Sequence, residues 1–138
     1  MAGAPVKDTA AMIAGMAPVR DAEIWHFCTT SDPDLGARAA ADALTVFAED
    51  EGTSMILPDG IAHDLRFETD MPMTRITLSV HSALDGVGLT AAVAEALAQA
   101  GIPCNMVAAY HHDHAFVPAE LADKALEVLM ALADRTGA

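Results

Sequence analysis

The feature that most constrains the fold of this chain is a weak internal repeat. The segment Ile56–Ala62 (ILPDGIA) parallels Phe116–Ala122 (FVPAELA) at an offset of 60 residues, and each segment follows an apolar stretch and a polar turn. A chain of 138 residues is long enough for one compact domain or for two very small modules. Because self-similarity at a fixed offset indicates a repeated structural unit, the repeat favours two unequal modules.

The second copy has the clearer pattern of secondary structure. Strict alternation of apolar and polar residues over 74–81 predicts a strand with one buried face. Apolar side chains then recur at helical spacing over 89–97, and Asp85 is placed to cap a helix that begins near Gly86. Two further strands and a last helix, opened by Pro118, complete this copy.

The first copy repeats this order with a shorter crossover. A short helix that ends near Gly15 precedes it, as a lid or an extension. Residues 24–30 predict a strand, and a hairpin follows in which Gly52 supplies a positive φ. From Ile24 to Pro58 the chain runs 34 residues, against 42 in the second copy, so the crossover is about two helical turns shorter.

This order of elements predicts an α+β protein of ferredoxin-like architecture. It consists of two tandem modules of βαββαβ type, with antiparallel sheets and helices packed on one face. We place the boundary between residues 1–70, a degenerate module that carries the short N-terminal helix, and residues 71–138. Because a module of about 60 residues has a small core by itself, we expect the two copies to share a sheet or a helix layer.

The net charge limits the partners that this chain can bind. It carries 20 acidic and 7 basic side chains, a formal charge of −13, with no Lys/Arg cluster. Such a surface repels nucleic-acid phosphates and anionic membranes. No apolar run approaches the roughly 20 residues of a membrane span, and the first residues do not form a signal peptide. We therefore expect a cytoplasmic protein without a nucleic-acid or membrane partner, open to cationic or zwitterionic ligands.

The most informative segment for binding is the strand-to-helix junction at residues 81–90 (HSALDGVGLT). Its two glycines allow close approach of the backbone, and first-turn N–H groups attract a carboxylate. The segment lacks the features of a P-loop or a dinucleotide fingerprint, and Asp85 suits an ammonium group better than a phosphate. Asn105 could contact both ends of an α-amino acid. The alternative is that Asp85 caps its own helix and Asn105 is a polar edge residue.

A second polar cluster is the segment His111–His114 (HHDH). Residues two apart on a strand share a face, so two imidazoles can meet there as metal ligands. A third ligand would have to come from His26, His63, His81 or an acid, and no recognised spacing supplies it. The alternative is a solvated or hydrogen-bonded hairpin turn.

The two cysteines do not indicate redox or metal chemistry. Cys28 and Cys104 lie far apart and match no recognised spacing, so we predict that both are buried strand residues. No cofactor is expected.

The second half resembles the ACT domain. The signature of that family is a strand, an Asp-x-x-Gly turn, a helix and a Gly-Ile-x-x-Asn strand start. The corresponding residues here are Asp85–Gly88 and Gly101–Asn105. The whole chain, including the His-Asp-His turn and the FVP sequence after it, is similar to small stand-alone ACT-domain proteins of uncharacterised function. Within that family, its sequence most resembles the aspartokinase-type ACT domains.

The resemblance implies a regulatory or sensing protein that binds an amino acid between two modules. The candidate ligand-binding residues are Asp85, Gly86, Val87, Gly88, Leu89, Asn105, Met106, His112, Asp113 and His114. The first copy has no equivalent of the Asp85–Gly88 turn, so one good junction is expected per chain. His111 departs from the family, whose members tend to carry an aromatic residue there. With no catalytic domain attached, we expect a non-enzymatic homodimer that regulates a separate partner.

Two other functions stay open at this point. The cluster of His112, Asp113 and His114 is the basis for a metal-binding protein or a metal-dependent enzyme. A third hypothesis is a module that only pairs with another protein, through a strand edge or a helix face.

Overall fold

The computed structural model describes residues 8–80 and 85–137. The elements are α1 Thr9–Ala14, β1 Val19–Thr30, α2 Pro33–Ala40, β2 Thr45–Glu49, β3 Gly52–Pro58, α3 Asp59–Asp64, β4 Met73–Leu78, α4 Leu89–Gln99, β5 Asn105–Ala108, β6 Asp113–Pro118 and α5 Ala122–Gly137. A 3₁₀ turn, Ala119–Leu121, leads into α5. The chain divides into two compact units: an N-terminal unit, residues 22–73, and a C-terminal unit, which combines the chain up to Asp21 with the chain from Thr74 onward.

The internal repeat is present in the strand order and in the hydrogen-bond register. The N-terminal unit has the strand order β2-β3-β1, and the C-terminal unit has the matching order β5-β6-β4. In the antiparallel hairpins, Thr45 pairs with Ile56 in the first copy and Asn105 pairs with Phe116 in the second. Each residue of the second pair lies at the offset of 60 from its counterpart in the first pair. The predicted α+β architecture of two tandem ferredoxin-like modules is confirmed. The predicted boundary between residues 70 and 71 stays a prediction.

The C-terminal unit has the larger core, and α1 is part of it. Met12 and Met16 of the N-terminal segment are 1% and 0% exposed and pack with Ile76, Leu97 and Leu129. Full burial of such a side chain contributes about 1.5–3 kcal/mol. The helix that the sequence suggested as a lid or an extension is therefore a structural element of this unit.

The core of the N-terminal unit is smaller. Its buried cluster consists of Cys28, Ala39, Met55, Leu57 and Ala62. Burial raises the pKa of the Cys28 thiol to about 11, which keeps the thiol protonated and unreactive at neutral pH. None of the helices in the described part of the chain is both long and apolar enough to cross a bilayer.

Several predicted element ends differ from those observed. Helix α4 begins at Leu89, and its N-cap is Gly88 with φ of 106°, so Asp85 is not its cap. Cys104 is partly buried and precedes β5, so only Cys28 is a buried strand residue. Strand β4 ends at Leu78, so the predicted continuation through Ser79 and Val80 is wrong, and His81 lies outside the described residues.

The geometry of the turn between β2 and β3 can be tested by substituting Gly52. Gly52 has φ of 147°, and a Cβ there would clash with the carbonyl oxygen of Thr30. We expect Gly52→Ala to lower the free energy of unfolding by at least about 2 kcal/mol. The control is Gly60→Ala in α3, where a Cβ meets no atom within 4 Å. It should be neutral or stabilise by up to about 1 kcal/mol. Equal effects in denaturant titrations would contradict the turn geometry.

Candidate ligand-binding site

An open cleft of about 530 Å³ lies at the N-terminal end of α4, within the C-terminal unit. This volume is in the range of small-molecule sites. The described residues that line it are Met12, Gly86, Val87, Gly88, Leu89, Thr90, Ala91, Ala94, Ala108, Ala109 and Asp113. The structure therefore brings together the predicted junction and one residue of the histidine turn, Asp113.

The N terminus of α4 has no side-chain cap. Gly88 occupies the N-cap position and has no side chain, so no side-chain acceptor reaches the first-turn N–H groups from that position. The positive end of the helix dipole adds to the attraction of an anion there. Helix α2, the crossover helix of the first copy, differs because Asp32 is its N-cap and accepts a hydrogen bond of 3.0 Å from the amide of Asp34. Of these two crossover helices, α4 is the one whose N terminus faces a cleft without a capping side chain.

Helix α1 holds the junction in place. The Thr9 hydroxyl donates a hydrogen bond to the carbonyl oxygen of Val87. A Cβ on Gly88 would lie 2.6 Å from the Thr9 methyl group, so the absence of a side chain allows this approach. Met12, on the next turn of α1, lines the cleft. The shape of the cleft thus depends on a helix that is more than 70 residues away in sequence.

Asp113 is the one acidic side chain among the described lining residues. It begins β6, where the β5–β6 turn closes with a hydrogen bond of 3.0 Å from the amide of Ala109 to the carbonyl of His112. Apart from Thr90, the remaining lining side chains are apolar and mostly small, and Val87 is 75% exposed. The cleft therefore offers amides suited to an anion, a carboxylate suited to a cation, and apolar side chains for further contact.

Five of the ten predicted site residues are not among the described residues that line the cleft, and three of these are Asp85, Asn105 and Met106. Asn105 and Met106 pair with Phe116 and Ala115 at the start of β5, whereas the cleft is lined by Ala108 at its end. Three residues of strand separate these positions by about 10 Å. Asp85 is exposed and is not among the described lining residues. Ligand contacts by these three residues stay predictions.

The two predicted histidines of the turn hold it in place through hydrogen bonds. The Nδ1 atom of His112 lies 3.2 Å from the carbonyl oxygen of Val80, and that of His114 lies 3.0 Å from the Thr77 hydroxyl. Neither histidine is among the described residues that line the cleft. Within residues 8–80 and 85–137, these histidines and Asp113 do not bring three ligand atoms together.

Sequence reasoning missed the contribution of α1, because no local pattern says where that helix packs. It also missed a group in the N-terminal unit in which the ligand atoms of His26, Asp59 and His63 lie within 4.8 Å of one another. The spacing of Asp59 and His63 could have indicated this group, because residues four apart lie on one face of a helix.

Models of the ACT domain match two slightly overlapping parts of the chain, residues 4–74 and 72–131. A crystal structure of a protein of unknown function from Vibrio cholerae, described as a possible transport protein, is 37% identical. That match covers 87% of this chain and 92% of that chain, with a TM-score of 0.77. The chain belongs to the ACT-domain family and contains two tandem ACT domains.

Two more distant structures share the fold. The ligand-free regulatory subunit of aspartate kinase from Thermus thermophilus is 10% identical, with a TM-score of 0.62 over 83% of this chain and 95% of that chain. A protein from Agrobacterium tumefaciens is 17% identical, with a TM-score of 0.63 over 80% of this chain and 83% of that chain. No curated protein matches this sequence significantly.

Gly88 provides a test of the junction. We expect Gly88→Ala to destabilise the protein by about 1–3 kcal/mol, because its positive φ disfavours a side chain and the new Cβ meets the Thr9 methyl group. A second substitution, Thr9→Ala, removes that methyl group and should restore part of the loss. Denaturant unfolding of the single and double variants measures both effects. Additive losses in the double variant would contradict the contact between α1 and the junction.

The surroundings of His114 predict that the free energy of unfolding depends on pH. Burial, together with the positive charge of Arg75, holds the pKa of His114 below its ordinary value of 6.5. The unfolded chain therefore takes up a proton at higher pH than the folded chain does, and His114 lowers the stability as pH falls through about 6.5. The variant His114→Asn should show a shallower loss of unfolding free energy between pH 7.5 and 5.5. Parallel curves for the two proteins would contradict this assignment.

Proposed function

We propose that this protein is a non-catalytic regulatory protein that binds an amino acid in the cleft at the N terminus of α4. The observation that carries the proposal is the pairing, in one cleft, of a helix N terminus without a capping side chain and the carboxylate of Asp113. An α-amino acid carries the two complementary charges on adjacent groups.

In the proposed binding mode, the ligand carboxylate accepts hydrogen bonds from the amides of Leu89 and Thr90. The helix dipole and charge-assisted hydrogen bonds both favour an anion at that place. The ligand ammonium group donates to Asp113, and the ligand side chain contacts the apolar wall that includes Met12 and Ala94. Asp85 and Asn105 stay candidates for further contact with the ammonium group.

The charge of the cleft argues against a phosphorylated ligand. Asp113 would repel a dianionic phosphate, and the chain as a whole carries a charge of −13. A zwitterion has no net charge and meets neither obstacle. The small side chains of Ala91, Ala94, Ala108 and Ala109 leave room for an aliphatic ligand side chain.

A regulatory role without catalysis is supported by the chemistry of the cleft and by the shared fold. Thr90 and Asp113 are the polar side chains among its described lining residues, and the nearby His112 and His114 take part in hydrogen bonds of the turn. No histidine, cysteine or lysine is among the described residues that line the cleft. The regulatory subunit of aspartate kinase has the same fold. We propose that the protein acts as a homodimer on a separate partner.

A thermal-shift screen of the twenty amino acids tests this function. A ligand at 100 times its dissociation constant adds about 2.7 kcal/mol of stability, which raises the melting temperature by several degrees. We expect a shift with one amino acid or a small group of related ones. The matching 2-hydroxy acid and the methyl ester should give none, because each lacks one of the two charges. No shift with any amino acid at millimolar concentration would contradict the proposal.

Asp113→Asn tests the binding mode of the amino acid that gives the shift. It should weaken affinity by about 10-fold or more, because a charge-assisted contact contributes about 1.5–3 kcal/mol. The matched control is Asp42→Asn, which removes the same charge from an exposed position in the N-terminal unit. Isothermal titration calorimetry on the three proteins makes the comparison. Equal losses in both variants would indicate a general charge effect and contradict the role of Asp113.

A further inference from the structure

The N-terminal unit contains a second group of polar side chains, which is separate from the amino-acid cleft. Strand β3 ends at Pro58, and α3 follows at once, so Asp59 lies in its first turn and His63 one turn later. The Asp59 Oδ1 atom lies 2.7 Å from Nε2 of His26 on β1 and 3.1 Å from Nε2 of His63. The ligand atoms of the three residues all lie within 4.8 Å of one another.

The three side chains differ in burial, from His26 in the core to His63 at the surface. His26 is 2% exposed, so its imidazole is held firmly beneath α3. The side chains of Asp59 and His63 are 44% and 59% exposed, which leaves the outer side of the group open to water. His26 Nδ1 is buried without a hydrogen-bond partner among the described residues. A proton can therefore move to Nδ1 without breaking a bond there, and Nε2 can then act as a metal ligand.

We propose that His26, Asp59 and His63 bind a divalent transition-metal ion, with zinc as the best fit. Two imidazole nitrogens and one carboxylate oxygen are ligands that zinc prefers, and three protein ligands leave one position for water. Calcium and magnesium are excluded because they take oxygen ligands. A bound ion would connect α3 to β1 and so stabilise the N-terminal unit.

The two observed distances between Asp59 and the histidines need little change to accept an ion. Metal–ligand distances of about 2.0–2.2 Å in a tetrahedral site place neighbouring ligand atoms about 3.4 Å apart. The two observed N···O distances, 2.7 and 3.1 Å, must therefore widen by less than about 1 Å. His63 is exposed, so its side chain can move by this amount without disturbing the core.

Acidic residues near His26 favour the approach of a cation. A cleft of about 280 Å³ is lined by His26 and by Phe27, Glu68, Asp70, Met71 and Met73. The two carboxylates raise the local concentration of cations in the cleft that His26 lines. The repeat does not reproduce the site, because Ala119 and Asp123 stand at the offset of 60 from Asp59 and His63.

Zinc titration of the untagged, chelator-treated protein tests the proposal. With a chromophoric zinc chelator as competitor, we expect one Zn²⁺ per chain. His63→Ala should weaken binding by at least about 10- to 100-fold, since loss of an outer-shell partner alone costs that much. Because His63 is exposed, this variant should fold, and far-UV circular dichroism checks it. Asp59→Asn provides a second variant on the same helix.

The control is the double variant His112→Ala, His114→Ala in the other histidine cluster, which should bind zinc as the wild type does. Cobalt should give the intense visible absorption of a four-coordinate site in the wild type and lose it in His63→Ala. Absence of zinc binding, or binding that His63→Ala leaves unchanged, would overturn the proposal. This proposal and the proposed amino-acid binding rest on different residues, so either proposal can be overturned while the other stands.

Discussion

The candidate site depends on how the backbone turns at Gly88. The positive φ of this residue ends the junction and starts α4 without a capping side chain, and the missing Cβ lets Thr9 of α1 approach. A side chain at this position would separate α1 from the junction and change the wall that Met12 provides. One residue thus couples the conformation of the backbone, the packing of the N-terminal helix and the exposure of the α4 amides.

The two copies of the repeat use the same scaffold differently. Their hairpins have the same register, yet in the first copy the Asp32 carboxylate already accepts a hydrogen bond at the start of α2. A ligand carboxylate would have to compete with that side chain, whereas at α4 it would not. The first copy instead carries the group of His26, Asp59 and His63, of which the second copy has no counterpart at the offset of 60.

Local patterns predicted most of the fold and part of the site. The repeat and the alternation of β4 indicated the tandem modules, and the glycines of the junction indicated the start of the cleft. The cap was predicted wrongly, because Asp85 precedes a turn whose geometry only the φ of Gly88 reveals. The roles of Thr9 and of His26 could not be predicted, since each depends on a contact between segments that are distant in sequence.

In the proposed function, a zwitterion binds with its carboxylate on the first turn of α4. Backbone amide chemical shifts, followed by NMR while an amino acid from the screen is titrated, test this most directly. We expect saturable changes at Leu89, Thr90 and Asp113, with little change at Asp34, whose amide donates to the Asp32 carboxylate. Changes of equal size at both helix starts, or changes confined to the N-terminal unit, would contradict it.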